Sequence, residues 1–118
     1  MSKSFMICND LAHERQNIRK ILTKHEHIVL CDAINGNQAV EFYQEFQPEV
    51  SLVDISLTGK DGVEVLEAIL KINPEANVIL MSSLGHKAFV NSCIESGAKA
   101  VITKPLSEKK ILEAIDKI

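Results

Sequence analysis

The chain has 118 residues, of which 46% are hydrophobic and 25% charged, and thirteen Lys and Arg face sixteen Asp and Glu for a net charge of −3. That length is one domain of about 100–200 residues, and that composition is too apolar for intrinsic disorder. The acidic balance argues against direct nucleic-acid binding, which calls for a strongly basic surface.

The elements alternate from the start. Phe5–Cys8 reads as a strand and about Ala12 to Lys24 as a helix, with apolar positions Ile18, Ile21 and Leu22. Ile28–Cys31 is the second strand. Asn35-Gly36 signals a turn into a helix over about Asn37–Phe46, which stops before Pro48. Val50–Ile55 is the third strand. The turn Asp61-Gly62 leads into a helix from Gly62 to Ile72, ended by Asn73-Pro74 because the residue before proline avoids helical angles. Val78–Met81 is the fourth strand, followed by a helix over about Lys87–Ser96 that Gly97 terminates. Ala100–Thr103 is the fifth strand. Ser107 caps the last helix, whose apolar face is Ile111, Leu112, Ile115 and Ile118.

Most of these strands lack polar alternation, so they read as buried on both faces. Five successive β–α pairs specify an α/β fold: a doubly wound five-stranded parallel sheet with five helices, as one domain over residues 1–118. Such a sheet binds its ligand beyond the C-terminal ends of its strands. No apolar stretch approaches the roughly 20 residues of a membrane span. The apolar run Phe5–Cys8 is far shorter than the core of a signal peptide. The expected location is the cytoplasm, away from membranes. Cys8, Cys31 and Cys93 are odd in number and form no CxxC pair, so they read as reduced, buried thiols.

Chemistry is therefore sought just after each strand. Asn9 and Asp10 follow the first, Asp32 and Ala33 the second, Asp54, Ile55 and Ser56 close the third, Ser82 and Ser83 the fourth, and Lys104-Pro105 the fifth. If the first and third strands are neighbours, Asp10 and Asp54 lie about 5 Å apart. Converging carboxylates repel, and a divalent cation relieves the repulsion. Mg²⁺ suits one or two carboxylates plus waters and a phosphate. Lys104 can reach the same pocket. Asp54 fits a nucleophile that forms an aspartyl phosphate, with Mg²⁺ and Lys104 neutralising charge and Ser82 donating to a phosphoryl oxygen.

The ordered set Asn9-Asp10, Asp54, Ser82 and Lys104-Pro105 resembles the receiver domain of two-component response regulators, within that family the CheY-like type. The segment "DISLTGKDG" from Asp54 to Gly62 and the stretch "VILMSSLGHKAFVNSCIESGAKAVITKPL" are similar to the family's corresponding loops and units. The resemblance implies a flavodoxin-like strand order of 2-1-3-4-5. It implies that Asp54 accepts phosphate from a histidine kinase or phosphotransfer domain. It implies Mg²⁺ held by Asp10, Asp54 and the backbone carbonyl of Ser56, with Asn9 as the outer position acting through water. Ser82 and Lys104 would contact the phosphoryl group, and Lys104-Pro105 would be a cis peptide. An output protein or output domain would bind the face of the fourth helix, fifth strand and fifth helix. The domain would be a phosphoacceptor rather than an enzyme, with weak autophosphatase activity at most.

Three departures from the pattern, and two tuning positions, carry expectations. Asn9 stands where an acid is usual and removes one negative charge, which weakens Mg²⁺ binding. Thr58 stands where proline is common. Val101 occupies the switch aromatic position; a valine is stiff at χ1 and cannot make that swing, so signalling would rely on loop movement. Ser56 and Leu84 hold positions that tune dephosphorylation in the family. The alternative reading is a pseudo-receiver that only binds protein. A haloacid-dehalogenase-type phosphatase would need an aspartate where Ser56 stands. A flavodoxin-type nucleotide site would need a hydroxyl- or glycine-rich loop where Asp10, Leu11 and Ala12 stand. His13, His25, His27 and His86 read as surface histidines. Arg15, Arg19, Lys20 and Lys24 read as a solvated helix face, with kinase docking as the other reading.

Overall fold

The computed structural model describes residues 2–118. In chain order the elements are β1 (Ser4–Cys8), α1 (Ala12–Lys24), β2 (Ile28–Ala33), α2 (Gly36–Phe46), β3 (Val50–Asp54), α3 (Gly62–Ile72), β4 (Asn77–Ser82), α4 (Lys87–Glu95), β5 (Ala100–Thr103) and α5 (Glu108–Ile115). The strands form one parallel sheet in the order β2-β1-β3-β4-β5, the doubly wound α/β architecture expected.

Alternation along each strand builds two cores. Met6, Cys8, Val53, Val78 and Leu80 point to one face, where Ala39 and Tyr43 of α2 and Val65, Leu66 and Ile69 of α3 cover them. Phe5, Ile7, Leu52, Ile79 and Met81 point to the other, beneath Ile18 and Leu22 of α1 and Ile111 of α5. Each large aliphatic side chain buried in this way contributes about 1.5–3 kcal/mol. β3 is buried along its whole length, as both-face coverage requires.

β2 departs from the expectation of strands buried on both faces. It is an edge strand, and Ile28 and Leu30 are exposed. Their apolar character hid the alternation that usually marks a half-exposed strand. Strand and helix ends shift slightly from the expected bounds: β2 runs on to Ala33, β3 ends at Asp54, and α4 ends at Glu95.

Ser107 caps α5 as expected, and the expected turns at Asn35 and Asp61 prove to be helix caps as well. Asn35 accepts from Gln38 N–H, Ser107 accepts from Lys110 N–H, and Asp61 forms a capping box with Glu64. Gly97 takes φ +114° beyond α4, a conformation that favours glycine. His27 is not a simple surface histidine. Its ring lies edge-on to Phe5 with centroids 5.0 Å apart, and desolvation, then nearby positive charge, lowers its pKa. Cys8 and Cys93 are buried, whereas Cys31 is only partly covered. Burial, with Asp32 and Glu45 adding to it, pushes the Cys31 thiol up to about 11.

Candidate functional site

The C-terminal ends of β1, β3 and β4 lie level, because Cys8 pairs with Val53 and Asp54 with Met81. Asp54 closes β3 and is 2% exposed. A carboxylate so buried must be paired and hydrogen-bonded, and this one is. Its Oδ1 accepts from the Ser56 N–H at 2.9 Å and from Ser56 Oγ at 2.7 Å. Its Oδ2 accepts from Asn9 Nδ2 at 3.2 Å and pairs with Lys104 Nζ at 2.6 Å.

Lys104 leaves β5 with its N–H donating to Ser82 O at 2.7 Å, and its bond to Pro105 is cis. Its ammonium also donates to Glu14 Oε1 at 3.1 Å. Burial works against the charged ammonium. The hydrogen bonds and charges of Asp54 and Glu14 outweigh it and raise the Lys104 pKa above the ordinary value.

The residue beside Asp54 is Asn9, which directly follows β1. The strand spacing predicts Asp10 close to Asp54, and β1 and β3 are indeed neighbours. The register nevertheless sets Asn9 against Asp54, and Asp10 sits one residue further out, exposed. Asn9 is fully buried. Its Oδ1 accepts from Leu11 N–H at 2.7 Å, which turns its amide N–H₂ toward the two acids. Arg15 Nη1 donates to the Asn9 carbonyl at 2.8 Å. Arg19, from the same basic face, pairs with Asp32 at 2.6 Å.

Glu14, in the first turn of α1, is a site residue that reading the strand ends missed. The signal was its acidic side chain in the first turn of α1, which begins at the rim just past the end of β1. Ser82 is buried, and its Oγ accepts from Leu84 N–H at 2.9 Å. A hydroxyl that accepts keeps its own proton free to donate. Val101 is partly buried against the core beneath α2 and α3. A cavity of about 160 Å³ lies between β5 and α5, lined in part by Val101, Thr103, Lys110 and Lys117.

The donors at the rim are oxygens and amides. Among the described residues no three His, Cys, Asp or Glu side chains come together as a metal cage. The buried carboxylate of Asp54, with the exposed Asp10 next in the chain to its partner Asn9, is the open, hard-oxygen type of site that suits Mg²⁺ with most of its waters kept. It does not suit the closed N/S site of a structural zinc. No described helix is long and apolar enough to cross a membrane.

The family model of the response regulator receiver domain matches residues 5–116. The chemotaxis protein CheY of Thermotoga maritima is 36% identical over 118 residues, covering all of this chain and 98% of its own. The CheY of Bacillus subtilis is 38% identical over 117 residues, covering 99% and 98%. Among solved structures, the CheX–CheY–BeF₃–Mg²⁺ complex of Borrelia burgdorferi superposes with a TM-score of 0.92 at 28% identity, over 96% of this chain and 86% of that one.

Proposed function

The chain belongs to the response regulator receiver domain family and is a CheY-like receiver of two-component systems, and from that premise we propose that Asp54 is its phosphoacceptor. The observation that carries the proposal is the buried Asp54 carboxylate paired at 2.6 Å with Lys104 at the carboxyl edge of the sheet. A carboxylate held against such a cation attacks phosphorus without a separate base. In transfer from a histidine kinase or phosphotransfer domain, an Asp54 oxygen forms the new P–O bond. The P–N bond to the donor histidine breaks, its electron pair stays on the imidazole nitrogen, and that nitrogen takes up a proton.

The residues that would hold Mg²⁺ are Asp10, Asp54 and the Ser56 backbone carbonyl, with Asn9 at the outer position. When bound, the cation neutralises charge on the phosphoryl oxygens. Lys104 is tethered at Asp54 Oδ2 and needs only a side-chain shift to follow an oxygen of the new group. The free Ser82 proton can donate to another. Ser82 O and the Lys104 N–H are joined, so movement at Ser82 bears directly on the start of the loop after β5. The surface of α4, β5 and α5, including the cleft beside Val101, is where an output protein or output domain would read the change. With valine there, loop displacement must carry the signal. Ser56 Oγ on Asp54 Oδ1 bears on the lifetime of the phosphoryl group and on any weak autophosphatase activity. The location proposed is the cytoplasm, where such kinases present phosphohistidine. A receiver that bound protein alone would have no need of this lysine-paired acceptor.

The test is incubation with acetyl phosphate and MgCl₂ followed by intact-mass measurement. The wild type is expected to gain one phosphoryl group, with acetate leaving, and Asp54→Asn to gain none. An adduct that persists in Asp54→Asn places the acceptor elsewhere, and no adduct in either chain returns the pseudo-receiver reading.

A further inference from the structure

Position 9 is an amide, yet the pocket holds a second carboxylate beside Asp54. Glu14 Oε1 accepts from Asn9 Nδ2 at 2.8 Å and from Lys104 Nζ at 3.1 Å. The same two donors reach Asp54 Oδ2 at 3.2 Å and 2.6 Å. Carboxylate, ammonium, carboxylate and amide thus close a ring that joins the ends of β1, β3 and β5 to the first turn of α1. We infer that Glu14 supplies the negative charge that Asn9 withholds, so that it sets the affinity of the site for a divalent cation and holds Lys104 over Asp54. The inference rests on the receiver reading and deepens it.

Asn9 is what admits Glu14. An aspartate at position 9 would offer no proton to either neighbour and would set three carboxylates around one ammonium. The amide instead donates to both. A glutamate in a first helical turn also gains from the helix dipole, but that alone leaves the side chain free to point to solvent. Here it is only 22% exposed and turned onto a lysine ninety residues away. Arg15, its sequence neighbour, is occupied by the Asn9 carbonyl. With Glu14 in place, Asp10, Asp54, Glu14 and Lys104 together carry the two negative charges that one divalent cation neutralises. The weaker Mg²⁺ binding expected from Asn9 alone is offset. Glu14 acts through Lys104 and through its field, so it is a positioning residue and not a ligand.

The experiment is calorimetric titration of MgCl₂ into the unphosphorylated chain, using wild type, Glu14→Gln, Asn9→Asp, the double variant and Asp54→Asn. The exchange rate of the Lys104 ammonium protons is measured by NMR in the metal-free wild type and Glu14→Gln. Glu14→Gln is expected to weaken Mg²⁺ about tenfold, the effect of one nearby unit charge in a half-solvated site. It is also expected to speed Lys104 proton exchange severalfold. Asn9→Asp is expected to restore Mg²⁺ binding in the Glu14→Gln background. Unchanged Mg²⁺ affinity and unchanged proton exchange in Glu14→Gln overturn the inference. If Asp54→Asn alone abolishes binding, the receiver reading stands without it. A wild type that binds no Mg²⁺ overturns both.

Discussion

Replacing Lys104 by methionine keeps the length of the side chain and removes its charge. Asp54 then stays buried and loses the shortest of its four polar contacts, the 2.6 Å pair. The gross Coulomb attraction at that separation is about 6 kcal/mol for an effective dielectric near 20. Much of it is offset by the desolvation of the ammonium, which the variant no longer suffers. Breaking a buried pair costs about 3–5 kcal/mol when the remaining charge is left bare. Asp54 is not left bare, because two Ser56 donors and Asn9 remain. Lys104 is also 21% exposed. The expected loss is therefore about 2–3 kcal/mol at pH 7.5 in EDTA, read from urea unfolding. Mg²⁺ should restore stability to Lys104→Met more than it adds to the wild type, since the cation and the ammonium both neutralise Asp54. Cation at 100 times its Kd would add about 2.7 kcal/mol. The pH dependence follows from the raised Lys104 pKa. A group whose pKa is higher folded than unfolded contributes in full below the unfolded value, near 10.4. Its contribution is lost as pH rises through the folded value. The gap between wild type and variant should hold from neutrality to about pH 10 and close above it. A variant within about 0.5 kcal/mol of wild type in EDTA, well below the cost of breaking a buried pair, would refute the role of Lys104 in stabilising the buried Asp54.

Two further outcomes are expected. Gly62 opens α3 against the Asp54 backbone, and a Cβ there would stand 2.6 Å from Asp54 O and 2.6 Å from Ile55 Cα. Gly62→Ala should cost about 2 kcal/mol by forcing these backbones apart, and should slow acetyl phosphate labelling severalfold by displacing the acceptor. Labelling at the wild-type rate would show that the site tolerates the shift. Ser51 carries a buried hydroxyl without a hydrogen-bond partner among the described residues. Ser51→Ala should raise stability by about 1 kcal/mol in urea unfolding; a loss of that size would reveal a partner for the hydroxyl.

What could be read directly from the chain is local. The cap at Ser107 and the turns at Asn35 and Asp61 depend on residues a few positions apart, and strand runs such as Val50–Ile55 depend on neighbours, so each is written in contiguous sequence. The alternation of five strands with five helices, given right-handed crossovers, then forces polar strand ends such as Asp54, Ser82 and Lys104 onto one edge. The edge character of β2 escaped because Ile28 and Leu30 are apolar although exposed, and periodicity records residue type, not solvent. Pairing across the sheet is nonlocal. Which of Asn9 and Asp10 faces Asp54 is decided by the β1–β3 register, and a slip of one residue would exchange them. Glu14 enters the site only because α1 docks with its first turn at the rim, bringing its carboxylate to a lysine ninety residues away. Composition and spacing determine which groups reach the edge; packing against α1 and the strand register decide which of them touch, because a charge is felt through distance in space and not along the chain.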